Sequence, residues 1–202
     1  MKKLNIFLGN QIFEPLDGDI LAVDVFGINL INAGYRNFVS IGDFDSCSDK
    51  DFELLKNYSK LIKFPVEKDE GDLELAFIYA MEHKYTDVVV YNINCGKRLD
   101  HLLNNIFILK KYKNYFNLII KDQNNIMYFL SSRTTIEKNK FSYISLMFFE
   151  NTIGLNITTD FKYSFNGNVE KFNTSFISNE LKNNSGTITF ESGEVFLIQS
   201  KD

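Results

Sequence analysis

Through roughly the first 130 residues, short apolar runs alternate with segments whose apolar residues recur every three or four positions. The runs at 4–8, 20–23, 38–41, 88–93 and 118–120 are too short for core helices and read as buried strands. Between them, Leu73, Ala76, Phe77, Ala80 and Met81 share one helical face. Leu99, Leu102, Leu103, Ile106 and Leu109 share another, with Asp100 in the first turn, where the helix dipole favours an acid. Strands alternating with helices predict a mostly parallel sheet with helices on both faces, an α/β three-layer domain over residues 1–130.

Past that point the helical period disappears. Thr187-Ile188-Thr189-Phe190 and Val195-Phe196-Leu197-Ile198 alternate as strands do, and Glu191-Ser192-Gly193-Glu194 between them has the composition of a hairpin turn. Residues 131–202 are therefore expected to form a second, small all-β domain, a sandwich or barrel.

Composition removes several function classes. A net charge of −4 provides no basic field for a nucleic-acid backbone, and an anionic substrate needs a local cation or a metal. No apolar run reaches membrane-spanning length, and the run after the basic start at residues 1–3 is too short for a signal peptide. Cys47 and Cys95 form no CxxC motif, so a reduced, cytoplasmic setting is expected in place of a disulfide framework.

Three loops at strand ends concentrate the chemistry. The strand at 38–41 runs into Gly42-Asp43-Phe44-Asp45-Ser46, and an extended backbone there points Asp43 and Asp45 to one side and Phe44 to the other. Ligands of open α/β sheets bind beyond the strands' carboxyl ends. Two adjacent carboxylates repel unless a cation or proton lies between them. With His83 and His101 the only histidines and no cysteine cluster, oxygen donors favour a hard ion such as Mg²⁺. The competing reading makes these acids caps of the next helix. Asp69, Glu70 and Asp72 precede the first clear helix, where Asp69 or Asp72 is expected as its N-cap. Gly96-Lys97-Arg98-Leu99-Asp100-His101 adds a glycine and a guanidinium fork suited to phosphate oxygens at a helix N-terminus. The plainer alternative is a surface pair of Arg98 with Asp100 and a structural His101. There is no GxxxxGK[ST] and no GxGxxG. The residues by themselves point to Mg²⁺-assisted chemistry on phosphates, without naming the acceptor.

In this order, the segments resemble the thiamine pyrophosphokinase family. Gly42-Asp43-Phe44-Asp45-Ser46 matches its GDFDS stretch, Asp69-Glu70-Gly71-Asp72 its D-x-T-D, and Arg98-Leu99-Asp100-His101 its G-G-R-x-D-H. Thr159-Asp160-Phe161-Lys162-Tyr163-Ser164-Phe165 is similar to its T-x-G-L-K-[YW]-x-L, Ser178-Asn179-Glu180 matches its S-N-E, and residues 185–198 follow its final hairpin. Asn10-Gln11 is similar to an N-Q of some members. The resemblance implies an α/β catalytic domain, a C-terminal β-sandwich that binds thiamine, and a homodimer with active sites between subunits. It implies that ATP and thiamine give AMP and thiamine diphosphate. Carried across, Asp43, Asp45 and Asp72 are expected to hold Mg²⁺, and Asp69, Arg98 and Asp100 to surround the triphosphate and the attacking hydroxyl. Gln11, Ser46, Arg98 and His101 are expected at ATP, and Asp24, Asp100, Tyr163, Ser178 and Asn179 at thiamine. Ala22-Val23-Asp24-Val25-Phe26-Gly27 departs from the family's A-D-G-G-A, Gly71 stands for its Thr, and Lys97 for its second Gly. Two rival expectations are a pyrophosphokinase for another alcohol, such as a pterin, and a thiamine-binding module without catalysis.

Overall fold

The computed structural model describes residues 2–65, 67, 69–94 and 98–202. The chain divides into two compact units, Met1–Gln123 and Asn124–Asp202. The division falls seven residues before the boundary read from the pattern, because residues 125–129 form a strand that pairs antiparallel with the last strand of the chain.

In the first unit the order is β1 (Lys3–Phe7), β2 (Asp19–Val23), α1 (Gly27–Asn32), β3 (Phe38–Gly42), α2 (Asp49–Tyr58), β4 (Ser59–Lys63), α3 (Asp72–Glu82), β5 (Asp87–Tyr91), α4 (Leu99–Tyr112) and β6 (Asn117–Lys121). The strands lie in the order β4-β3-β2-β1-β5-β6, each pair parallel. Central strands of such a sheet are covered on both faces and need not alternate with polar residues. Accordingly Leu4, Asn5, Ile6 and Phe7 are all buried. Phe7, Ala22, Val89 and Tyr91 pack with Leu30, Ile31 and Leu55 of α1 and α2 on one face. Leu4, Ile6, Val88 and Val90 point to the other. There α3 packs against α4 and against β2 and β3. The side-chain nitrogen of the fully buried Asn5 donates to the carbonyls of Asp17 (2.7 Å) and Asp19 (3.2 Å), which ties down the loop after β1.

The second unit holds β7 (Asn125–Phe129), β8 (Arg133–Glu137), β9 (Tyr143–Phe148), β10 (Thr152–Ile157), β11 (Phe165–Val169), β12 (Ser185–Thr189) and β13 (Val195–Ser200). β7, β13 and β9 pair antiparallel, and β11-β10-β12-β8 form a four-stranded antiparallel sheet. Their inward residues, among them Ile136, Ile144, Leu146, Leu155, Ile157, Phe161, Ile188 and Leu197, build one core between the layers, as a β-sandwich requires.

Three local expectations are corrected. Residues 187–190 and 195–198 do not form a hairpin: β12 pairs with β10 and β8, whereas β13 pairs with β7 and β9. Both strands bury an inner face, so each lies in its own layer, and the link crosses between layers through a bridge of Ser192 to Ile153. Neither Asp69 nor Asp72 is the N-cap of α3; Gly71 holds that position and Asp72 is the first helical residue. Phe44 is not extended but left-handed at φ 58°.

Candidate active site

The acids sit where parallel strands end. Val23 of β2 lies opposite Ile41 of β3, so Asp24 and Gly42-Asp43 leave the sheet side by side at its carboxyl edge. A left-handed Asp24 (φ 51°) turns the chain at once into the short helical turn Asp24–Phe26. A left-handed Phe44 buries its ring against Phe52, 5.7 Å between centroids, and leaves Asp43 and Asp45 together. The Asp43 Oδ1 accepts from the Asp45 N–H at 3.1 Å. Helix α2 starts later, capped by Ser48, whose hydroxyl accepts from the Asp51 N–H, so Asp43 and Asp45 are not spent as caps.

One carboxylate oxygen from each of Asp24, Asp43 and Asp45 lies within 4.8 Å of the others. Asp24 Oδ2 accepts from the Ser46 hydroxyl at 3.2 Å, whereas Oδ1 is buried without a hydrogen-bond partner among the described residues. Burial raises the Asp24 pKa, the Ser46 hydrogen bond opposes this, and the charges of Asp43 and Asp72 raise it further. A donor set made only of oxygens, with one buried oxygen unsatisfied, fits a hard divalent cation such as Mg²⁺.

Asp24 and Asp72 line a cavity of about 690 Å³ together with Arg98, Asp100 and His101. Leu8, Val23, Phe26, Leu73 and Ile93 give it apolar wall, and Asn94, Asn104 and Asn105 add polar side chains. Arg98 precedes α4 as its N-cap residue without a side-chain cap bond. Its guanidinium donates through Nε to Asp100 Oδ1 at 3.1 Å and pairs through Nη2 with Oδ2. The surface pair anticipated as the plain alternative is therefore formed. The Arg98 hydrogen bonds hold the Asp100 carboxyl down at about 2, so both groups are charged at neutral pH. Asp69 and Gln11 are exposed and do not line this cavity; Gly96 and Lys97 lie outside the described residues.

In the second unit, Tyr163 and Asn179 line a cavity of about 500 Å³ with Phe161, Phe165, Phe176 and Ile144. Tyr163 is 61% exposed, with the Lys162 ammonium 5.6 Å from its ring centroid and held by Glu180 at 2.8 Å. The Asn179 carboxamide clasps the Tyr163 backbone, accepting from its N–H at 3.0 Å and donating to its carbonyl at 2.8 Å. Ser178, left-handed at φ 55°, is exposed beside it.

Asp24, expected at thiamine, joins Asp43 and Asp45 as the third member of the acidic trio. Its signal was available: it directly follows an apolar strand run, as Asp43 follows another after one glycine. What was missing was that the two runs are sheet neighbours.

Residues 20–120 match the family profile "Thiamin pyrophosphokinase, catalytic domain", and residues 133–195 match "Thiamin pyrophosphokinase, vitamin B1 binding domain". A thiamine pyrophosphokinase of Bacillus subtilis is 33% identical over 215 residues, covering all of both chains. Among solved structures, thiamine pyrophosphokinase from Bacillus subtilis superposes with a TM-score of 0.86 at 28% identity over the full length of both chains. That from Geobacillus thermodenitrificans gives 0.83 at 28% identity, over 99% of this chain and 98% of the other. Matched along its whole length in sequence and in fold, the chain belongs to the thiamine pyrophosphokinase family.

Proposed function

We propose that the chain transfers the pyrophosphoryl group of MgATP to the hydroxyl of thiamine, giving thiamine diphosphate and AMP. The observation that carries this reading is the oxygen-only convergence of Asp24, Asp43 and Asp45 beside a cavity that also holds Asp72 and Arg98. Asp43, Asp45 and Asp72 are the ligands we assign to Mg²⁺, with Asp24 close enough to join them. When bound, the ion neutralises charge on the phosphate oxygens. The thiamine oxygen attacks the β-phosphorus in line, the bond from that phosphorus to the α,β-bridging oxygen breaks, AMP leaves and the hydroxyl proton is released. Arg98 serves the triphosphate through guanidinium N–H groups beyond those given to Asp100. Asp69, Asp100, His101, Ser46 and Gln11 complete the ATP side of the reading.

Thiamine is a cation and suits an acidic site. Tyr163 offers an exposed ring for it, a contact worth ~0.5–2 kcal/mol when the cation–π geometry is good. Asn179 orients that ring through its backbone clasp, and Ser178 is free of helix or strand to reach the substrate. We assign a homodimer with the active site at the subunit interface. The feature that supports it is an exposed apolar stripe on α4, Leu99, Leu103 and Phe107, directly after Arg98. No helix among the described residues is long and apolar enough to cross a membrane, which accords with a cytoplasmic enzyme.

The test is AMP release from ATP with and without thiamine, in Mg²⁺ and then in EDTA. Release should require both. Asp45→Asn should lower kcat at least ~100-fold while keeping the wild-type melting curve. Thiamine binding without AMP release would show a binding module, and near-normal turnover in Asp45→Asn would remove the metal assignment.

A further inference from the structure

We infer that Asn92 is a positioning residue that holds the Gln11 loop in register with helix α4, so that the two segments grip one triphosphate. The inference rests on the pyrophosphokinase reading above.

Asn92 follows β5 at the carboxyl edge of the sheet, is buried at 7% exposure, and is left-handed at φ 59°. Few residue types other than glycine tolerate that backbone, and asparagine is the commonest of those that also carry a side-chain donor. The geometry uses both properties. The Asn92 N–H donates to the Lys121 carbonyl at 2.8 Å, which fixes the turn against β6. The Asn92 carboxamide donates to the Gln11 carbonyl, also at 2.8 Å. The next residue, Ile93, accepts at its carbonyl from the Asn105 side chain of α4 at 3.4 Å. Residues 92–93 thus join the loop that carries Gln11 to the helix whose first turn carries Asp100 and His101. Ile93 and Asn105 themselves line the cavity with Arg98.

Three residues beyond Gln11 the same loop is pinned again. Glu14 accepts from the Tyr91 hydroxyl and from the Lys121 ammonium, each at 2.8 Å. Phe13 packs on the Tyr91 ring, 5.7 Å between centroids. These contacts hold the loop's far side to β5 and β6. The contact at Gln11 itself comes from Asn92, so its loss should loosen residues 9–12 without melting the domain. A neutral hydrogen bond of this kind typically contributes about 1 kcal/mol net. Loss of positioning should therefore appear as roughly a five- to tenfold change in nucleotide affinity.

Two variants separate the donor from the backbone. Asn92→Gly keeps the left-handed turn and removes the carboxamide. Asn92→Asp keeps the shape and sets a carboxylate oxygen against the Gln11 carbonyl. Calorimetry with a non-hydrolysable ATP analogue and Mg²⁺ should show Kd raised about five- to tenfold in both. KM for ATP should rise in parallel, with kcat within about twofold of wild type, and amide hydrogen exchange should accelerate at residues 9–12. Thermal melts confirm that at least one variant is folded. Wild-type Kd in a folded variant overturns the inference, whatever the exchange shows. If the wild-type chain releases no AMP on adding thiamine, the pyrophosphokinase reading fails separately, and the analogue Kd still decides the role of Asn92.

Discussion

A methyl group on Gly42 has no room except at the expense of Asp24. A Cβ built there lies 3.0 Å from the Asp24 Cα and 3.2 Å from its Cβ and N, contacts with backbone that cannot swing aside. Asp24 is already held in a left-handed conformation, so it has little freedom to yield. Gly42→Ala is therefore expected to displace one member of the acidic trio from the other two. Displaced supports of this sort cost about 10–100-fold in metal affinity. Titration of Mg²⁺ into the variant should show a loss in that range, and wild-type affinity would mean that Asp24 and Asp43 need not be neighbours. At the same scale, the Arg98–Asp100 pair is a surface pair with high exposure of both side chains, 67% and 61%, so it orients Arg98 more than it stabilises the fold.

Helices α3 and α4 are joined by Glu74, which accepts from the Lys111 ammonium and from the Tyr112 hydroxyl at 3.0 Å. The Lys111 hydrogen bond, helped by Tyr112 and opposed by burial, holds the Glu74 carboxyl below its ordinary 4.5. A carboxylate whose pKa is lower in the folded state stabilises it above the unfolded value, and that contribution is lost as pH falls through the folded one. Glu74→Gln should therefore melt earlier at pH 7, by ~0.5–1 kcal/mol after allowance for solvent screening. The gap to wild type should close as pH falls below the ordinary glutamate range. A pH-independent gap would assign the loss to packing. The second unit shows an element-scale lesson of a different kind: β12 and β13 are neighbours in sequence but not in pairing, because each has its own inner face to bury.

On the scale of the whole molecule, the exposed apolar side chains of α4 stand four residues apart on one helical face: Leu99 at 73%, Leu103 at 57% and Phe107 at 66%. Such a stripe beside a charged site is a natural subunit contact. Sedimentation of the wild-type chain should give a dimer, and Leu103→Lys combined with Phe107→Lys a monomer. Turnover should fall at least ~10-fold in the double variant if the interface completes the site. A wild-type monomer with full activity would reject the assignment.

Much of this protein was legible in its sequence. Short apolar runs marked the strands of the parallel sheet, a three- and four-residue spacing marked α3 and α4, and the GDFDS and SNE motifs, in order, pointed to the family. These are local signals, set by backbone periodicity or by a few adjacent residues. Helix α1, only six residues long, helix α2 and strand β4 were not foreseen, although Ser48 followed by Asp51 is a readable start for α2. Tertiary structure alone decided that Asp24 joins Asp43, through the register of β2 on β3, that residues 191–194 cross between layers, and that Asn92 reaches Gln11 from the far end of β5. Each is a meeting of residues distant in the chain. Sheet order and left-handed turns set such meetings, and local sequence does not encode them.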